Sequence, residues 1–111
     1  MGGGILAFDA EPSKESWFPV RVGGPEQVAK HPDRTLFLCW PPYETSMARD
    51  CLDQYCGDVL IHVGEGPGGC TGDDVFWEQI ENEWFPAKHI KIPQWEAIHD
   101  SLTIFTRCRP A

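Results

Sequence analysis

The sequence predicts an α/β fold, with a mostly parallel sheet and an antiparallel strand pair at its C-terminal end. Three observations predict it. TLFLCW at 35–40 and DVLIHV at 58–63 are continuous apolar runs, too short for helices and without alternation, as in strands buried on both faces. Helix-like segments separate such strands, as parallel crossovers require. The last two strand-like segments follow one another without a helix, so they should pair antiparallel at one side.

The elements follow in order. Ile5–Phe8 is a short apolar run with Asp9 at its tip, and Phe18–Val22 is a second short strand. Gly24-Pro25-Glu26 opens a helix, because proline at the first helical position loses no hydrogen bond. Pro32 ends that helix by His31. Thr35–Trp40 is the third strand, and Pro41 must take the chain out of the sheet because proline has no N–H for the ladder. Thr45 or Ser46 can cap a helix over Met47–Tyr55, with Gly57 as its stop. Asp58–Val63 runs into the glycine-rich GEGPGGC. Thr71 and Asp74 then resemble a capping box for a helix carrying Phe76, Ile80 and Trp84, ended by Pro86. Lys88–Ile92 and Leu102–Thr106 are the closing pair.

At 111 residues the chain is one domain, or part of one, spanning 1–111. An apolar fraction of 41% with five tryptophans suits a folded globule. A net charge of −8 leaves no basic stripe for nucleic acid. No stretch is long enough to cross a membrane, and the opening MGGGILAFDA lacks the basic and apolar regions of a signal peptide. Gly2 does not make a myristoylation site, because Leu6 stands where that motif has Ser or Thr. Five cysteines without a CxxC pair support neither a zinc site nor a disulfide framework. The expectation is a cytoplasmic protein with reduced thiols, Cys39 among them as a core residue.

Ligands of open α/β sheets gather at the carboxyl ends of the strands, and three features point there. Asp9 could accept the hydroxyls of a ribose, or could cap the turn before Pro12. Trp40, Pro41, Pro42 and Tyr43 form a rigid aromatic elbow, which could flank a ligand or pack structurally. Gly64, Glu65, Gly66 and Gly69 lie in a loop leading to a helix N-terminus, where an anion could sit. That loop aligns to GxGxxG, but no acid follows about 20 residues on, so it reads equally as a flexible connector. His62 reads as a satisfied core residue and His31 as a cation at a helix end. His89 and His99 form no triad with a carboxylate and nucleophile, and Ser13, Ser16, Ser46 and Ser101 lack a nucleophile elbow. No catalytic residue and no metal ligand emerges.

With these residues placed, the chain resembles the class I S-adenosylmethionine-dependent methyltransferases, a Rossmann-like family. The resemblance covers nearly the whole chain and matches the later part of that fold. It implies S-adenosylmethionine as cofactor, with Asp9 on its ribose. It implies that Pro41, Pro42 and Tyr43 match the Pro-Pro-Tyr elbow beside the methyl donor, and that the final strand pair matches the family's last two strands. Trp40 departs from the pattern of amine methylating members, which have an amide or acid there. The family's first strand, glycine motif and first helix have no counterpart, since Gly2 to Gly4 precede a strand rather than follow one.

Two readings follow. One is a methyltransferase-like protein that binds S-adenosylmethionine or a related nucleoside through Asp9, the elbow and the Gly64–Gly69 loop. The other is a non-catalytic Rossmann-like interaction module. Without the family's first strand, Ile5–Phe8 either pairs directly with Leu36–Trp40 or leaves a slot that a second copy fills, giving a homodimer.

Overall fold

The computed structural model describes residues 4–15 and 18–108, so Gly2, Gly3 and Ser16 lie outside the described residues. The elements are β1 (Ala7–Asp9), β2 (Val20–Val22), a 3-10 helix (Pro25–Lys30), β3 (Leu36–Cys39), α1 (Met47–Gln54), β4 (Val59–Glu65), α2 (Asp74–Glu83), β5 (Trp84–Ile90) and β6 (Asp100–Arg107). They form an α/β structure with two sheets. β1 pairs with β2 in parallel, and the other strands form a four-stranded sheet in the order β3-β4-β6-β5.

The larger sheet is mixed: the expected antiparallel C-terminal pair is present, and the sheet is less parallel than expected because β6 also lies antiparallel to β4. β3 runs parallel to β4, with Leu36 opposite Leu60 and Cys39 opposite Val63. β6 lies between β4 and β5, antiparallel to both. β6 can pair on both sides, whereas β5 contains Pro86, which has no donor and suits an edge. The ladder shifts register between Pro86 and Lys88. Pro86 therefore does not end α2. The helix stops at Glu83, and Trp84 is already extended with φ −127° and ψ 149°.

Both helices pack on one face of this sheet. Ala48, Cys51 and Leu52 of α1 and Phe76 and Ile80 of α2 form one core with Leu38, Leu60 and Phe105. The helical residues recur at spacings of three and four, so each helix buries a single stripe. The sheet residues share a face because Leu60 is opposite both Leu36 and Phe105. On the other face, Phe37 remains 56% exposed and Cys39 is exposed. The third strand is thus not buried on both faces, and Cys39 is not a core thiol. Among the described residues, neither helix covers that face. The buried thiol is Cys51, which burial, with Asp50 and Glu26 nearby, pushes up to about 11.

Ile5–Phe8 does not pair with Leu36–Trp40. Ala7 is opposite Val20 and Asp9 opposite Val22, and Gly23 N donates to Asp9 O at 3.0 Å. The 3-10 helix joins this ribbon to the body by packing on α1. Arg34 Nη1 also donates to Gly4 O at 2.8 Å. β3 therefore forms one edge of the larger sheet.

Two caps differ from expectation. Asp73, rather than Thr71, caps α2, its carboxylate accepting from Phe76 N at 2.9 Å. The Ser46 hydroxyl donates to Asp50 Oδ2 at 2.8 Å instead of accepting a helix amide. Gly57 is not the stop of α1, which ends at an extended Tyr55. A Cβ at Gly57 would come within 2.3 Å of Tyr55 Oη, so glycine lets that ring lie against the backbone.

Phe76 is fully buried and Phe37 is not. Phe76→Ala should lower unfolding free energy in urea by about 3–5 kcal/mol. Phe37→Ala should change it by less than about 1 kcal/mol. A similar loss for both would contradict the one-sided core.

Candidate functional site at the carboxyl edge of β3 and β4

The elbow begins with backbone geometry. Trp40 N donates to Val63 O at 2.7 Å, continuing the β3–β4 ladder one residue past Cys39. Trp40 then adopts a φ of 49°, a left-handed value uncommon for a bulky residue, and the chain turns out of the sheet. Pro41 is fully buried, whereas Pro42 is exposed. The aromatic rings on either side remain accessible, Trp40 at 38% and Tyr43 at 54%.

One residue fastens this elbow to the segment beyond the glycine loop. Gly72 N donates to Pro41 O at 3.2 Å, and Gly72 O accepts from Glu44 N at 3.0 Å. Gly72 has a φ of 68°, and an added Cβ would lie 2.9 Å from the Phe76 ring. Glycine is required there by both conformation and space. The sequence offered little sign of this, because Gly72 follows Thr71 inside what reads as a helix cap.

Gly64 has a related constraint. Its φ of 150° and a prospective Cβ 2.8 Å from Thr71 Cγ2 leave no room for a side chain. Thr71 is 1% exposed, and its hydroxyl donates to the Glu65 carbonyl. Its single hydrogen is thus committed. His62 Nε2, 3.3 Å from the same oxygen, must be the protonated nitrogen if that contact is a hydrogen bond. The His62 ring lies edge-on to Trp77 at 5.0 Å, and burial holds its pKa down to about 4. His62 is a neutral core histidine, not a general base.

Glu65 closes the glycine loop. Its Oε1 accepts from Cys70 N at 2.9 Å and its Oε2 from His99 N at 3.0 Å. These backbone donors, His99 first, hold its carboxyl below the usual carboxylate range. Gly69 N donates to Gly66 O at 2.9 Å, making a tight turn inside the loop. The helix N-terminus beyond does not favour an anion. Asp73 and Asp74 both stand there, and Arg49 Nε is taken up by Asp73 Oδ2 at 3.0 Å. A phosphate there would meet two carboxylates, one of them paired with Arg49, which weighs against the anion expected from the sequence.

The structure therefore brings Trp40, Pro41, Pro42 and Tyr43 together with Gly64, Glu65 and Gly66 at adjacent strand ends. It does not bring Asp9 to them through sheet pairing. Asp9 sits on the other sheet, where its Oδ1 accepts from Glu11 N at 2.8 Å in a local turn. Among the described residues, no cluster of His, Cys, Asp or Glu is arranged to hold a metal ion. Among the same residues, no helix is long and apolar enough to cross a membrane.

Compared with family models, curated proteins and solved structures, the chain matches none.

Burial of neutral His62 makes stability pH-dependent. Its folded pKa of about 4 lies below the unfolded value of roughly 6.5, so the unfolded chain binds the extra proton between these limits. Stability is then lost as pH falls through that window. Between pH 7 and pH 4.5 the contribution lost should be about 2–3 kcal/mol by linkage. His62→Leu should lack that portion of the pH dependence in urea titrations. An unchanged slope in the variant would show that His62 is not responsible.

Proposed function

We propose that this chain is a methyltransferase-like, Rossmann-like domain portion that binds S-adenosylmethionine or a related phosphate-free nucleoside at the carboxyl edge of β3 and β4. The observation that carries this reading is the Gly72 clasp, which holds the elbow and the glycine-loop segment at one edge with two aromatic rings accessible. Exposed rings of this kind suit stacking against a nucleobase. Glu44 and Asp74, whose charges act on the Tyr43 hydroxyl, favour a ligand carrying positive charge, as the sulfonium of S-adenosylmethionine does, over a phosphorylated nucleotide. The insertion of β6 between β4 and β5, antiparallel to both, is consistent with the last strands of that family. Binding without catalysis is the reading, because Glu65 is occupied by backbone donors and His62 is sequestered.

Calorimetric titration with S-adenosylmethionine and S-adenosylhomocysteine tests this. Tyr43→Ala should weaken binding about tenfold while leaving the melting temperature nearly unchanged, since the ring is half exposed. No heat and no thermal shift at millimolar ligand would refute it. A large fall in melting temperature with unaltered affinity would make Tyr43 structural.

A second reading is an interaction module that forms a homodimer. The observation favouring it is the sheet face opposite the helices, where Phe37 and Cys39 are exposed beside an edge strand without charged residues. In a chain of net charge −8, such an uncharged strip lets two copies approach with little repulsion. Light scattering over a dilution series should show mass rising toward twice the monomer value, and Phe37→Lys should abolish the rise. A strict monomer at high micromolar concentration would dismiss the dimer.

A further inference from the structure

A cleft of about 500 Å3 runs along α2, between that helix and strands β5 and β6. That volume falls in the range of ligand-holding clefts. Its floor is apolar, formed by Trp77, Ile80, Trp84, Pro86 and Phe105. Its acidic residues are Asp74, Glu78 and Glu81, all exposed. At spacings of four and three they lie along one side of α2. The stripe is about 10 Å long at the helical rise. Among the described residues none of the three is ion-paired, and no Lys, Arg or His lines the cleft.

We infer that this cleft binds a peptide segment of a partner protein that carries Lys or Arg residues interspersed with apolar ones. A single small cation would engage one carboxylate and leave the rest of the stripe unused. A segment presenting cations and apolar side chains in turn matches both the acidic stripe and the floor beside it. The net charge of −8 would also steer a basic partner toward the protein. Neither Trp40 nor Tyr43 lines the cleft, although Asp74 and the loop residues Pro67 and Gly68 border both places, so Glu78 and Glu81 are the carboxylates that belong to the cleft alone.

The test uses an acetylated, amidated ten-residue peptide of alternating lysine and leucine, titrated by calorimetry into the whole chain. One reference peptide has serine for leucine, and another has glutamate for lysine. The lysine–leucine peptide should bind one to one, with both references at least about fivefold weaker. The double variant Glu78→Gln/Glu81→Gln should weaken binding at least about fivefold with an unchanged melting temperature. Glu11→Gln/Glu15→Gln removes the same charge away from the cleft and should alter affinity less than about twofold. Equal losses in the two double variants would reduce the effect to net charge and overturn the proposal. Equal binding of the lysine–serine peptide, or no heat at millimolar peptide, would overturn it as well.

Discussion

The Tyr55 side chain holds the amino end of the sheet together, and the other elements take their positions from it. Its hydroxyl lies 2.8 Å from Arg34 O and 2.9 Å from Val59 O, between the chain entering β3 and the start of β4. One hydrogen serves one of these carbonyls at a time, and both would otherwise need another donor. The ring stacks on Trp84 at 6.3 Å, with the planes 8° apart, which brings in the first residue of β5. Arg107, the last residue of β6, places its guanidinium 4.5 Å from the Trp84 ring centre and donates to Tyr55 O at 2.8 Å and Gly57 O at 2.9 Å. One tyrosine thus ties four strands and the end of α1 to a common point.

With that end fixed, backbone irregularity is displaced to the opposite edge. Trp40 and Glu44 both have positive φ, and they bracket the elbow. Gly64 and Gly72, also at positive φ, lie on the segment against which the elbow rests. A non-glycine residue in this region costs of order 1–3 kcal/mol and persists only where its surroundings over-determine it. Here they do so through the buried Pro41 ring and the two Gly72 hydrogen bonds. Concentrated strain at strand ends, beside accessible aromatic rings, makes this edge a stronger site candidate than Asp9, whose carboxylate serves its own turn.

Much of the element order was legible because its signals are local. Pro25 at the start of the 3-10 helix, Pro41 at the exit of β3 and the apolar β4 run each act within a few residues. What local signals do not carry is pairing. The apolar runs marked β3 and β4 as strands, yet could not show that both helices would choose one face and leave Phe37 open. Thr71 read as a cap because its type suits one, but it is drawn inward by the Glu65 carbonyl, 6 residues away, leaving Asp73 to cap α2. Gly72 was invisible as a clasp because its partners, Pro41 and Glu44, lie some 30 residues earlier in the chain. The elbow is written in four adjacent residues, Trp40 to Tyr43, whereas its support is not local.

The separation of Cys51 from the other four thiols has a practical consequence. Cys39, Cys56, Cys70 and Cys108 are exposed, whereas Cys51 lies on the buried face of α1 with its thiol 3.7 Å from Met47 Sδ. With its pKa pushed up to about 11, only about one molecule in 10,000 carries the reactive thiolate there at neutral pH. An alkylating reagent would therefore consume the outer four while the fifth waits for the helix to lift. Mass spectrometry would resolve that last addition as a separate, slow step, turning one buried sulfur into a clock for the opening of the core.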